Sequence, residues 1–282
     1  MRTLILGAGG QLGRDLVHVF EQDHEVAAYR HNEVDITEGG QVARLVVEAR
    51  PEVVINAAGY NDVDGAEDNR DAAYLVNETG ARNVALAAAR QEIPVVHFST
   101  DFVFDGARRE AYEPGDAINP LNVYAKSKAA GEAAVRLSNH RHFIVRTAWL
   151  YGPGGNNFVE RILSLCQDRD SVRVVDDQYG SPTHTFDLAE ATERLCRTRR
   201  YGIFHIVNND SCCRYTFAQA IVAEAGMKCH IEPCSSNEFK TRAKRPAYSV
   251  LSSGRYEKIT GRIMRPWRTA LGHYMKRRQY ET

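Results

Sequence analysis

Tyr124 and Lys128 stand four residues apart in Leu121-Asn-Val-Tyr-Ala-Lys-Ser-Lys128, downstream of the glycine-rich stretch Gly7-Ala-Gly-Gly-Gln-Leu-Gly13. On a helix this spacing puts both side chains on one face, so a phenol and an ammonium can converge on one reacting centre. The chemistry this allows is proton transfer to a carbonyl oxygen while hydride reaches its carbon. The ammonium is expected to stabilise the phenolate and lower a phenol pKa that is about 10 when unperturbed.

Gly7, Gly10 and Gly13 follow a predicted strand and open a predicted helix. Missing side chains there permit a tight turn, close approach of a pyrophosphate and close helix packing. The spacing is Gly-x-x-Gly-x-x-Gly rather than Gly-x-Gly-x-x-Gly, with Gly9 between. A dinucleotide without a 2′-phosphate is read by an acid at the end of the second strand, about 20 residues beyond the loop. Here that position holds Tyr29-Arg30-His31. Arg30 suits adenine stacking or a 2′-phosphate, which favours NADPH, while Glu33 and Asp35 are nearby acids that keep NADH possible.

The run His97-Phe-Ser-Thr-Asp-Phe-Val-Phe104 puts Ser99, Thr100 and Asp101 at the end of a predicted strand. In an open α/β sheet that carboxyl edge faces the ligand crevice. Thr100 can hydrogen-bond a substrate carbonyl oxygen while Tyr124 supplies the proton. The Asp101 carboxylate is either a ligand or a local cap.

The elements that must position these groups alternate in type. Apolar, β-branched runs at Thr3 to Leu6, Glu25 to Tyr29, Val53 to Asn56, Val95 to Phe98 and Phe143 to Arg146 read as strands, each but the last followed by helical periodicity. Pro51 and Pro94 introduce the third and fourth, where a missing donor is tolerated. The pattern predicts an α/β fold with a Rossmann-type, doubly wound parallel sheet over residues 1–148. After Trp149 the rhythm breaks at Gly152-Pro-Gly-Gly155, Tyr179-Gly-Ser-Pro182 and Arg245-Pro246. Residues 149–282 are therefore expected to form mainly a smaller α/β substrate-binding domain, with part of 184–200 packing back on the first.

With 36 basic and 36 acidic residues among 282, net charge selects neither nucleic acid nor an anionic membrane as a partner. No run of about 18 apolar residues appears, and the short apolar start Met1-Arg-Thr-Leu-Ile-Leu6 reads as a buried strand, so a cytoplasmic protein is expected. The six cysteines, Cys166, Cys196, Cys212, Cys213, Cys229 and Cys234, show no C-x-x-C spacing. They are read as buried or incidental thiols rather than zinc ligands or disulfides.

The chain resembles the dTDP-4-dehydrorhamnose reductase family of extended short-chain dehydrogenases/reductases over nearly its whole length. The match rests on the glycine loop, Asn56-Ala-Ala-Gly59, Asp62-Val-Asp-Gly-Ala-Glu67, Ser99-Thr-Asp-Phe-Val-Phe104 and Asn119-Pro-Leu-Asn-Val-Tyr-Ala-Lys-Ser-Lys128. It continues through Arg146-Thr-Ala-Trp-Leu-Tyr151, Gly155-Asn-Asn-Phe158, Asp177-Gln-Tyr-Gly-Ser-Pro-Thr183 and Arg245-Pro246. The Tyr-x-x-x-Lys pair marks the superfamily only, and the later motifs mark the family.

The resemblance implies a triad of Thr100, Tyr124 and Lys128 acting on the 4-keto group of a nucleotide-linked 6-deoxyhexose, with hydride from a nicotinamide. It puts Gly10, Gln11, Leu12, Asp35, Ile36, Ala58, Gly59, Tyr60 and Asn61 around the cofactor, with Trp149 lining the sugar site and Asn156 near the nucleotide. One of Arg242, Lys244 and Arg245 is expected at the diphosphate, with Arg245 preferred. Related dehydratases carry a glutamate after Ser-Thr-Asp, as a base for the carbon acid beside the ketone. Phe102 occupies that place here and cannot take a proton. An epimerase, or a non-catalytic subunit like the regulatory subunit of methionine adenosyltransferase, stays as the alternative.

The basic stretch Met264 to Arg278 reads as the solvated face of a closing helix, with Trp267, Leu271 and Tyr274 turned inward. Some reductases of this family are thought to pair through a metal held by acids. Asp15 could contribute, but Phe186 stands about where a further acid would be needed, so no metal is expected, and a monomer or homodimer is left open.

Overall fold

The computed structural model describes residues 1–281, with side chains through Arg278. A six-stranded sheet forms its centre: β1 (Arg2–Leu6), β2 (Glu25–Tyr29), β3 (Val53–Asn56), β4 (Val95–Thr100), β5 (His142–Thr147) and β6 (Gly202–His205). The spatial order is β6-β5-β4-β3-β1-β2, and every pairing is parallel. The first five strands lie where the apolar runs predict them.

The sequence reads as continuous apolar runs because helices cover both faces of the sheet. Ile5, Val53, Ile55, Val96, Phe143 and Val145 point to one face, where they pack with Leu16 and Phe20 of the helix Gln11–Phe20 and Leu188 and Leu195 of the helix Thr185–Thr198. Their neighbours Leu4, Leu6, Val54, Val95 and Ile144 point to the other, against Val42, Val46, Val84, Ala85 and Val135. Alternation by single residues along each strand thus builds two cores from one apolar pattern.

The chain order reverses direction between β1 and β3, which opens the crevice at their carboxyl ends. The glycine loop follows β1, Ala57 to Asn61 follow β3, and Ser99 to Asp101 follow β4. All three therefore meet along one edge.

The sixth strand was not foreseen. Gly-Ile-Phe-His is only four residues long and starts from a glycine at φ 125°, so it carries little periodic signal of its own. Its place is fixed by pairing with β5 and by Phe204 packing against Phe143.

The smaller unit is built on the parallel pair Ser171–Val175 and His230–Cys234 and the helices Phe158–Asp168, Arg214–Glu224 and Trp267–Glu281. Its core joins Ile162, Val172, Val174, Phe217, Ile221 and Ile231 to Trp267, Leu271 and Tyr274 of the closing helix. Among the described residues no helix is long and apolar enough to cross a membrane.

Candidate active site

The glycine loop is shaped by close approach. Gly7 turns at φ 81°, and a Cβ there would lie 2.5 Å from the Ala58 nitrogen. A Cβ on Gly13 would come within 2.1 Å of the Gly7 oxygen, so the helix Gln11–Phe20 can start this close only on glycine. Gly10 caps that helix without a side-chain hydrogen bond, and no acid occupies its first turn. Its leading N–H groups are thus available to an anion, which fits a dinucleotide pyrophosphate.

Leu12 turns its side chain into the sheet core, leaving only its backbone to face a ligand. The Gln11 side-chain Oε1 accepts a 2.9 Å hydrogen bond from the Asn157 side-chain amide in the smaller unit.

Arg30 is exposed at the end of β2, with its stem beside Gly9. The two acids that could have read a ribose hydroxyl are otherwise engaged. Glu33 accepts from the Arg30 backbone N–H at 2.7 Å, and Asp35 accepts from the Thr37 N–H at 2.9 Å, which holds its carboxyl below the usual range. The exposed guanidinium therefore dominates this corner, which fits a 2′-phosphate. The Ile36 side chain is buried against Gly80.

On the other side of the crevice, Gly59 lies close enough to Lys128 that a Cβ on it would be 3.6 Å from the ammonium. The next residues are fixed by Asn77, which the sequence reading did not single out. Asn77 accepts from the Tyr60 N–H at 2.9 Å and donates to the Tyr60 carbonyl at 3.1 Å and to the Ser127 hydroxyl at 2.9 Å. It sits in a π-helical turn, Leu75–Gly80, a local distortion that recurs at functional sites. Asn61 is exposed beside this segment.

Tyr124 and Lys128 share the helix Val123–Ser138, whose start is fixed by the Asn122 side chain accepting from the Ala125 N–H at 2.7 Å. Thr100 ends β4 and caps the following turn, accepting from the Phe102 N–H at 3.1 Å and donating to Asp101 at 3.1 Å. Ser99 is buried, and its hydroxyl finds no partner among the described residues. Phe102 meets the Tyr124 ring edge-on, 6.2 Å between centroids.

The electrostatics correct one expectation. Burial pushes the Tyr124 phenol up to about 12; the facing Thr100 hydroxyl pulls it part of the way back, and the Asp101 carboxylate adds to the rise. Lys128 does not lower it, because its ammonium donates at 2.6 Å to the Phe98 carbonyl and is itself brought down to about 8 by burial. Desolvation exceeds the pull of the Thr100 hydroxyl, and the phenol stays protonated at neutral pH.

Asp101 is buried, its oxygens taken by the Thr100 and Ser249 hydroxyls, and desolvation raises it to about 6. Trp149 is held at φ 47°, a conformation uncommon for an aromatic residue, with Gly180 so close that a Cβ would be 2.5 Å from the indole. Arg214, also not foreseen, stacks over that indole at 3.5 Å.

Two expected substrate ligands have these surroundings. Asn156 is exposed, whereas its neighbour Asn157 is buried and caps the helix Phe158–Asp168. Arg245 forms a bidentate pair with Asp64, at 3.1 and 2.7 Å, and Arg242 pairs with Asp68. These cations are neutralised within the chain and hold the segment 242–246 against the loop after β3. Asp15 is likewise committed, to the Thr185 hydroxyl at 2.5 Å and to Arg277 at 3.4 Å.

The family model described as RmlD substrate binding domain matches residues 1–280. Spore coat polysaccharide biosynthesis protein SpsK of Bacillus subtilis is 40% identical over 278 residues, spanning 98% of each chain. A dTDP-4-dehydrorhamnose reductase of Aggregatibacter actinomycetemcomitans is 38% identical, over 96% of this chain and 97% of its own. The solved dTDP-4-dehydrorhamnose reductase of Bacillus anthracis, in complex with NADP, is similar at a TM-score of 0.95 and 39% identity, covering 98% of this chain and 99% of that one. Likeness of this extent spans the sheet, the smaller unit and the crevice between them, and the chain belongs to the RmlD substrate binding domain family, that of the dTDP-4-dehydrorhamnose reductases.

Proposed function

We propose that the protein reduces the 4-keto group of a nucleotide-linked 6-deoxyhexose, converting dTDP-4-dehydro-L-rhamnose to dTDP-L-rhamnose with NADPH, in the cytoplasm and as a monomer or homodimer. The observation that carries this reading is the meeting of Thr100, Tyr124 and Lys128 on one edge, with Phe102 where a dehydratase would need its base. Bound NADPH supplies the hydride.

The chain's own residues supply the rest. The glycine loop and the open start of the helix Gln11–Phe20 hold the pyrophosphate, and Arg30 reads the 2′-phosphate. Lys128 holds the nicotinamide ribose from beside Gly59. Thr100 orients the ketone oxygen, and Tyr124, protonated at neutral pH, delivers its proton to that oxygen as the carbon is reduced. Trp149 and Asp101 wall the sugar site.

The test is consumption of NADPH, followed by its absorbance, on addition of dTDP-4-keto-6-deoxysugars. Wild type should consume NADPH and form the 4-alcohol, while Tyr124→Phe should lose roughly two to four orders of magnitude in kcat and keep its affinity for NADPH. Binding of NADPH without turnover of any such sugar would contradict the enzyme reading. Turnover that survives loss of the phenol would remove Tyr124 as proton donor.

A further inference from the structure

Arg214 opens the helix Arg214–Glu224, and its guanidinium lies 3.5 Å from the Trp149 ring centroid and 4.8 Å from that of Phe158. It feels the charge of Asp101, yet the Asp101 oxygens are occupied by the Thr100 and Ser249 hydroxyls. Among the described residues no carboxylate or carbonyl accepts a hydrogen bond from this guanidinium. Burial lowers Arg214 to about 10, which still leaves it charged at neutral pH. A half-buried cation with five N–H donors and no acceptor is costly unless a ligand completes it.

The neighbouring cations differ. Arg245 and Arg242 are spent on Asp64 and Asp68, so of the three cations that the sequence offers for the diphosphate only the exposed Lys244, a point charge rather than a fork, has no ion pair among the described residues. Arg214 stands on the same wall as Trp149 and keeps its charge for whatever enters. Sugar hydroxyls could accept its hydrogen bonds but could not balance that charge. Paired phosphate oxygens do both, in a geometry a guanidinium matches.

We propose that Arg214 is the residue that binds the diphosphate of the nucleotide-linked substrate, an assignment that rests on the nucleotide-sugar reading above. Cation–π stacking on Trp149 orients the fork, and the diphosphate satisfies the donors that the protein leaves open. Arg214 is thus a binding residue, and its loss should act on affinity rather than on proton transfer.

The test is calorimetric titration of the full chain, wild type against Arg214→Met and Arg214→Lys, with dTDP and, separately, with NADPH, alongside KM and kcat for the dTDP-4-keto sugar. Arg214→Met keeps an unbranched apolar stem over Trp149, and unchanged NADPH binding shows that the variant is folded. The expected result is at least about tenfold weaker dTDP binding in Arg214→Met, a smaller loss in Arg214→Lys, and a KM that rises with little change in kcat. Equal dTDP affinity in wild type and Arg214→Met would overturn the assignment and leave Arg214 a support for Trp149. A parallel loss of NADPH affinity would overturn it as well, by showing a general disturbance of the crevice. A wild type that neither binds dTDP nor turns over the dTDP-4-keto sugar would instead defeat the nucleotide-sugar reading, and this assignment with it.

Discussion

Lys128 donates a 2.6 Å hydrogen bond to the carbonyl oxygen of Phe98, tying the helix Val123–Ser138 to β4 one residue before Ser99. The ammonium that is to hold the cofactor ribose is therefore also a strut of the catalytic edge. Burial brings it down to about 8, while Glu132, one helical turn on, holds it up. The protonated form dominates at neutral pH and is lost as pH rises through about 8, so NADPH affinity and kcat/KM should fall on that alkaline side. The Tyr124 phenol, at about 12, contributes nothing to that limb. Measuring NADPH affinity from about pH 6 to about pH 10 in wild type and Lys128→Met checks this. An alkaline limb that persists unchanged in the variant would show that another group controls it.

Asn77 makes three hydrogen bonds, two of them to the backbone of Tyr60 and one to Ser127, three residues past Tyr124. Truncation in Asn77→Ala leaves a backbone N–H and C=O unpaired in a part-buried place. The expected cost is on the order of 2 kcal/mol of stability, with weaker NADPH binding as the wall Gly59 to Asn61 loosens. Urea unfolding and NADPH titration measure the two effects. Lost stability with intact cofactor affinity would mean that this wall does not touch the cofactor.

These two residues show how the legibility of the sequence divides. Tyr124 and Lys128 were readable because their relation is local, four residues on one helix, and the glycine loop because its constraint is backbone shape. The first five strands were readable because burial on both faces writes an unbroken apolar run. Asn77 was hidden since its partners lie 17 and 50 residues away, and an asparagine inside a helical pattern carries no distinguishing neighbour. Arg214 was hidden for a similar reason: its stacking partner Trp149 belongs to a different element. Arg245 was legible as a cation, but its neutralisation by Asp64, 181 residues earlier, was not. The lowered phenol pKa failed because burial, a property of the whole fold, dominates, and the ammonium is turned to the Phe98 carbonyl.

Gly180 lets the Trp149 indole sit where a side chain would collide, the would-be Cβ falling 2.5 Å from the ring. Trp149 cannot relax freely, since its backbone is already at φ 47° and the guanidinium of Arg214 covers its ring. Gly180→Ala should therefore displace the indole and lower kcat/KM for the nucleotide sugar by about tenfold to a hundredfold, leaving NADPH affinity unchanged. Steady-state kinetics beside NADPH titration separate the two. Unaltered kcat/KM would show that the indole does not border the sugar.

Asp101 gives a pH prediction whose sign runs opposite to that of a salt-bridged acid. Burial raises its pKa from 3.8 to about 6, so the folded protein holds this proton more tightly than the unfolded chain does. As pH rises from 3.8 to about 6 the unfolded chain releases the proton first, and wild type loses stability across that window. Asp101→Asn can still accept from Thr100 and meet the Ser249 hydroxyl, but has no charge to desolvate. The stability of the variant relative to wild type should therefore shift in the variant's favour between about pH 4 and about pH 7, as read by urea unfolding at both. The same substitution removes a carboxylate from the proposed sugar wall and should raise KM, so a more stable protein is expected to be a poorer enzyme. A stability difference that stays constant between the two pH values would mean that Arg214 and the two hydroxyls already offset the buried charge in full.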